Sequence, residues 1–315
     1  MLVYCMRRLM QTVLVIGLVS IIAFSILHLI PGDPVLAILG EEATREQVDT
    51  LRHELGLDRP PLLQYGSWVA GVLHGDFGQS LILRESVAEL IAKRLPVTFH
   101  LGLTALILSI LFGIPAGIVS ATHRGGFVDS VITILANLGM AVPTFWLGIL
   151  GIYVFALKLG WLPVQGYTSP FENLWASTRQ LVMPAMSLAV IPVAVLARQT
   201  RSSMLEVLEQ EYVRTARSKG LNEWTVVTVH AFRNAIIPVI TLLGLQIRSL
   251  VSGSVLVETV FNIPGMGRLL VDSVFNRDFV TVEAIILIVA VVVALSNLAV
   301  DISYGYLDPR IRINQ

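Results

Sequence analysis

The chain has 315 residues, 55% of them hydrophobic and only 14% charged, where soluble domains carry about a quarter charged residues. Its 22 basic and 22 acidic residues cancel, which leaves no general electrostatic pull toward nucleic acid or an acidic partner. The apolar residues fall in runs of about 20 without period-two alternation, so a transmembrane barrel is excluded and the class is an all-α, polytopic membrane protein.

The first apolar run, at about 10–30, follows Arg7 and Arg8. It is longer than a usual signal core, and no small-x-small cleavage pattern precedes Pro31-Gly32-Asp33-Pro34, so it reads as a retained span. Cys5, the single cysteine, lies before this run and has no intramolecular disulfide partner. Residues 31–96 hold ten acidic and six basic residues; short helices are expected at 45–55 and 86–93. The stretch His74-Gly75-Asp76-Phe77-Gly78 reads as a turn, and no Lys-Ser/Thr or helix start follows to make it a phosphate loop.

Five more spans are expected at about 101–121, 131–157, 181–200, 235–257 and 281–300, giving six transmembrane helices in all. The chain thereby divides into a tip and first helix (1–30), an extracytoplasmic region (31–96), a five-helix membrane domain (97–304) and a tail (305–315). Pro115, Pro143, Pro192 and Pro238 fall within or at the ends of spans, where they can kink a helix. Gly113 and Gly117, and Ser249 and Gly253, stand four apart and suit close helix packing.

Basic residues set the orientation. Arg7, Arg8, Arg124, Arg198, Arg201, Arg214, Arg217, Lys219, Arg233, Arg310 and Arg312 gather on one side, against Lys158, Arg179, Arg268 and Arg277 in the short loops of the other. The richer side is cytoplasmic by the positive-inside rule, which places both termini in the cytoplasm.

The longest cytoplasmic connection runs from Arg201 to Asn234. Met204 to Lys219 are good helix formers, Gly220 can end a helix in the left-handed conformation, and Asn222 suits the cap of a second helix with Glu223 in its first turn. That second helix lines up Leu221, Trp224, Val227 and Ala231 as an apolar stripe. The stripe fits packing under the chain's own bundle or at the lipid surface, and it equally fits a partner's groove.

This loop resembles the cytoplasmic loop of binding-protein-dependent ATP-binding-cassette (ABC) importer permeases, whose motif runs Glu-Ala-Ala, three residues, Gly, nine residues, Ile-x-Leu-Pro. The frame here is Arg214-Thr215-Ala216, three residues, Gly220, nine residues, His230-Ala231-Phe232-Arg233. Arg214 for Glu and Arg233 for Pro depart from the general motif and are similar to the peptide/nickel branch, in which Tyr-x-Arg-Thr-Ala-Arg-x-Lys-Gly and His-Ala-x-Arg-Asn-Ala are usual. Pro31 to Pro34, Glu54 to Asp58, Gly75 to Gly78, Arg201 to Met204, Glu258-Thr259, Pro264 to Arg268 and Asp308 to Arg312 extend the likeness over the whole chain, closest to the dipeptide-permease "B" type of subunit.

The resemblance implies a type I ABC importer transmembrane-domain fold in a bacterial inner membrane. It implies pairing with a second permease, two cytoplasmic ATPase subunits, an extracytoplasmic binding protein, and di- or oligopeptide cargo, with nickel chelates or glutathione as alternatives. ATP and magnesium would sit on the ATPases and no cofactor on this chain, which has no Gly-x-x-x-x-Gly-Lys-Ser/Thr loop. The resemblance also marks Glu211, Tyr212, Arg214, Thr215, Ala216, Arg217, Lys219, Gly220, Leu221, Trp224, Val227, His230 and Arg233 as the ATPase-coupling loop.

Gln246 and Arg248 in the fifth span and Glu258 at its outer end are candidates for the pathway or gate, since charge at membrane depth must face protein or water. Two other classes have less support. An intramembrane enzyme lacks Gly-x-Ser-x-Gly, His-Glu-x-x-His and any histidines at metal-ligand spacing. An ion-coupled transporter would carry acidic residues deep inside its spans, and the sequence shows none there.

Overall fold

The computed structural model describes residues 2–29, 35–36, 43–54, 58–80 and 82–307. Among these there is no strand, only an isolated bridge between Gln79 and Ser86. The motif residues Pro31 to Pro34, Leu55 to Leu57 and Asp308 to Arg312 lie outside the described residues.

Helices α1 (Leu2–Leu29), α2 (Arg45–Glu54) and α3 (Pro61–Leu73) come first. Pro61 opens α3, where a missing N–H costs nothing. Next is α4 (Val87–Thr122), which absorbs the short helix expected at 86–93 into one 36-residue rod. Then follow α5 (Phe127–Ala141), α6 (Thr144–Gly151, continued by π-helical turns to Lys158), α7 (Leu174–Leu208) and α8 (Glu211–Ser218). The run α9 (Glu223–Thr225) passes through a π-helical segment (Val226–Ala231) into α10 (Phe232–Val260), and α11 (Met266–Phe275) and α12 (Phe279–Leu307) complete the chain.

Five helical stretches are each long and apolar enough to cross a bilayer, and six crossings result if the bent α5–α6 pair is one broken span. The kink allowed for at Pro143 is a sharp one: the stretch turns by 102° between Ala141 and Thr144. Val142 precedes a proline and is extended, at φ −90° and ψ 128°, the conformation a following proline imposes. Pro143 offers no N–H to continue the ladder. The fourth span, expected to be the shortest at 181–200, is instead part of a 35-residue helix that runs on through Pro184 and Pro192.

The chain divides into two compact units, Met1–Pro96 with Gly265–Leu298 and Val97–Pro264 with Ala299–Gln315. In the first, Val87, Leu90 and Ile91 of α4 pack with Met266 and Leu269 of α11 and Ala284 and Ile285 of α12. The turn at 74–86 is fastened there too. Ser80 donates its hydroxyl to the carboxylate of Asp278, which also accepts from Thr281 at 2.8 Å.

The second unit is built around α7. Val97, Leu101 and Ala105 of α4 meet Leu181, Ala185, Leu188 and Ala189 of α7 and Val257, Phe261 and Ile263 at the end of α10. The expected close packing of small residues is present in α4. A Cβ on Gly117 would stand 2.5 Å from the Ala197 carbonyl oxygen, and one on Gly113 2.8 Å from Leu196 Cβ. At Gly253 the neighbour is a Leu188 methyl at 3.1 Å.

Candidate coupling loop

The first helix expected in the cytoplasmic loop is interrupted. α7 ends at Leu208, Gln210 is extended at φ −73° and ψ 147°, and α8 starts afresh at Glu211. Local propensity favours one long helix, yet breaking it folds Val213 and Ala216 of α8 back onto Val207 and Leu208 and under Val226. Burial of that apolar group outweighs a few helical hydrogen bonds.

The bend at Gly220 has the geometry its sequence predicts. Gly220 sits at φ +76° with nothing within 4 Å of its absent Cβ, so conformation and not crowding selects glycine. The Leu221 N–H donates to the Ala216 carbonyl at 3.4 Å and the Gly220 N–H to the Arg217 carbonyl at 2.9 Å, the paired 6→1 and 5→2 bonds of a Schellman end. Asn222 caps the next helix by accepting from the Trp224 N–H at 3.0 Å.

Side chains then lock the bend. Arg217 donates through Nε and Nη2 to the two carboxylate oxygens of Glu223, at 3.1 and 2.7 Å, across the glycine. Asn234 donates its amide to the Tyr212 hydroxyl at 2.7 Å, and Tyr212 donates to the His230 carbonyl at 3.4 Å. Arg124, from the α4–α5 turn, pairs with Glu209 at 2.6 Å.

The apolar stripe divides into two populations. Leu221 and Trp224 point outward, 40% and 74% exposed, with Val229 exposed behind them. Val227 and Ala231 are buried against Met204, Ala121 and Ala235. Within the π-helical segment Val226 turns toward Val213 and Ala216, and Val227 toward Met204 and Ala235. Ala216 and Val227 therefore belong to the scaffold that holds the loop. The outer surface is formed by Glu211, Tyr212, Arg214, Thr215, Arg217, Lys219, Leu221, Trp224 and Arg233, with His230 half-buried.

The three pathway candidates are not gathered at one point. Gln246 is buried within α10, and Glu258 lies twelve residues further along, about 18 Å at 1.5 Å per residue. Glu258 is fully buried and accepts from the Thr98 hydroxyl at 2.7 Å. The side chain of Arg248 lies outside the described residues. Sequence reasoning missed three features. Asp129, in the first turn of α5, is buried and tied to Arg201. Glu283, near the start of α12, is buried with its Oε1 unpaired. The Arg217–Glu223 brace was legible only as two opposite charges flanking Gly220.

Comparison with known proteins agrees with this geometry. Residues 113–313 match the family described as the binding-protein-dependent transport system inner membrane component, and residues 1–102 match the N-terminal family of the same membrane components. The chain belongs to this family. It is 42% identical over 307 residues to a Brucella abortus protein named as a peptide transport system permease, covering 98% of each chain. It is 41% identical over 312 residues to the glutathione transport system permease GsiC of Escherichia coli K12, covering 99% of each. The fold is that of a membrane chain in an inward-facing structure of the MetNI methionine ABC transporter, with TM-score 0.56 at 15% identity over 70% of this chain and 96% of that one. The protein is thus an inner-membrane permease subunit of a bacterial ABC importer that works with ATPase and substrate-binding components, and is a transport subunit, not an enzyme.

Proposed function

We propose that this permease pairs with a second, homologous permease to form a pathway for short peptides, and that residues 209–233 are the handle through which two cytoplasmic ATPase subunits work it. Both termini then lie in the cytoplasm, on the side where the basic residues collect. A loaded extracytoplasmic binding protein delivers cargo when closure of the ATPase pair, pressing on the loop, turns the pathway outward. The chain carries no cofactor; ATP and magnesium belong to the ATPases. Gln246, Arg248 and Glu258 are pathway or gate residues in this scheme.

One observation carries the coupling role: the loop is braced inside and carries an exposed tryptophan on an otherwise polar outer surface. A Schellman bend, a bidentate Arg217–Glu223 pair and a core of Val213, Ala216 and Val226 fix its shape, while Trp224 is 74% exposed at its tip. A handle must transmit force without deforming and must offer an anchor for a partner's cleft, where exposed tryptophan is the most effective contact.

The peptide cargo rests on the names of relatives. The relative named for glutathione, itself a tripeptide, makes that the second reading. The test is reconstitution in proteoliposomes with the second permease, the ATPases and candidate binding proteins. Peptide-loaded binding protein is expected to stimulate ATP turnover several-fold over the empty form. Stimulation by glutathione alone would select the second reading, and stimulation only by a nickel chelate would overturn the peptide class.

A further inference from the structure

The extracytoplasmic segment contains two helices of opposite character. In α2, six of ten residues are titratable: Arg45, Glu46, Asp49, Arg52, His53 and Glu54. In α3 none is. Moreover, α3 does not hide its apolar residues in the protein. One face, with Tyr65 and Trp68, rests on α1: the Tyr65 hydroxyl is 2.7 Å from Ser20 Oγ, and Phe24 lies 5.5 Å from the Tyr65 ring and 6.0 Å from the Trp68 ring. The opposite face carries Leu62, Leu63, Gly66, Ser67, Ala70 and Leu73, all exposed, with Leu62 85% and Leu73 80% bare.

A helix with no charged face is stable only inside protein or lipid. The place where α3 docks identifies which. Ser20 lies five residues inside the end of the apolar window Tyr4–Ser25 of α1, about 7 Å below its edge at 1.5 Å per residue. The neighbouring surface of α1 presents Leu18, Ile21 and Ile22, all exposed, which a membrane-spanning helix turns to acyl chains. The bare face of α3 is apolar and exposed, as is that surface of α1. Polar residues bracket it, with Asp58 and Arg59 before and His74 and Asp76 after, as expected for a helix lying in the boundary of a leaflet.

We infer that Pro61–Leu73 is a monotopic helix embedded in the bilayer leaflet at the Leu29 end of α1, with Leu62, Leu63 and Leu73 buried among lipid chains. It moors the polar α2 and the 74–86 turn close to the membrane surface. This holds whatever the cargo, since it depends on α1 being a span and not on the coupling loop.

The single cysteine makes the test direct. In a Cys5→Ser background, with the assembled transporter in native membranes, cysteines are placed at Leu62, Leu73 and, as a water-exposed control, Asp49. A membrane-impermeant thiol reagent is expected to modify Leu62→Cys and Leu73→Cys at least ten-fold more slowly than Asp49→Cys. A fluorophore at Ser67→Cys, a milder change on the same face, is expected to be quenched in proteoliposomes by lipids brominated on the acyl chain. Labelling of positions 62 and 73 as fast as 49, or no quenching at 67, overturns the proposal. So does protection that appears only when a binding protein is added, because the face would then belong to a protein partner.

Discussion

Arg201 grips the carboxylate of Asp129 with two parallel hydrogen bonds, Nε to Oδ1 at 2.7 Å and Nη2 to Oδ2 at 2.8 Å. The same carboxylate accepts from the Ser120 hydroxyl at 2.5 Å and the Gly125 N–H at 2.9 Å. One side chain in the first turn of α5 thus ties the end of α4, the turn beyond it and the C-terminal part of α7. It sits at the end from which the coupling loop departs, and the exposed Arg124–Glu209 pair joins the same turn to the loop's base.

Removing Asp129 should therefore do more than remove a salt bridge. Asp129→Ala leaves a guanidinium, a hydroxyl and a backbone N–H without their acceptor. Breaking a buried pair from one side costs about 3–5 kcal/mol. The low end applies here, because Arg201 keeps 32% of its side-chain surface exposed. Thermal unfolding of the purified assembly should shift clearly downward. Arg124→Ala, which breaks an exposed pair worth about 0–1 kcal/mol, should leave it nearly unchanged.

The approach of α4 to α7 gives a second expectation. Gly117→Ala would drive a methyl to 2.5 Å from the Ala197 carbonyl oxygen, which is backbone and cannot swing aside. Overpacking of this kind costs about 1–3 kcal/mol. Gly102→Ala, on the same helix with nothing within 4 Å, should be neutral or stabilising by up to about 1 kcal/mol. Detergent-melting curves of the two variants should separate in that order. Equal curves would mean that the helices part to admit the methyl.

Gly220 should respond to backbone conformation alone. Its φ of +76° lies in the left-handed region, and the space around it is open. Gly220→Ala should cost about 1–2 kcal/mol of local strain and lower uptake modestly. Gly220→Pro forbids this φ and removes the N–H that reaches the Arg217 carbonyl. It should abolish stimulated uptake while membrane insertion and basal ATP turnover persist. Uptake by the proline variant at the level of the parent would show that the bend plays no part in coupling.

What the sequence disclosed, and what it did not, follows from the range of the physics involved. The spans were legible because a bilayer asks for 20 apolar residues in a row, and the Gly220 bend because it is a matter of a few adjacent residues. The interruption at Glu209–Gln210 was not, since it exists to bury Val213 and Ala216 against Val207, Leu208 and Val226, contacts that propensity cannot foresee. Asp129 looked like an ordinary acidic residue in a first helical turn until Arg201, 72 positions away, came beside it. The 102° break turned on one residue, Pro143, whose counterparts Pro115, Pro184, Pro192 and Pro238 all remain inside helices.

The apolar stripe of the loop supplies the sharpest test of its role, because it separates scaffold from surface three residues apart. Val227 is 5% exposed and packs with Met204, Ala231 and Ala235, so Val227→Asp buries an unpaired charge. It should lower the amount of folded permease in the membrane and release the loop to limited proteolysis. Trp224 is 74% exposed, so its side chain contributes little packing to this chain. Trp224→Glu should therefore leave abundance, melting temperature and protease resistance at parental values. If the tryptophan is the anchor in the ATPase cleft, removing a central aromatic contact costs at least about 2 kcal/mol of binding, roughly a thirtyfold loss of affinity. The ATPases should then wash off membranes that retain full-length permease, and uptake should fall with them. If Trp224→Glu retained its ATPases and transported at the parental rate, the contact surface would lie elsewhere on the loop, with Leu221, Tyr212, Lys219 and Arg233 among the other exposed candidates.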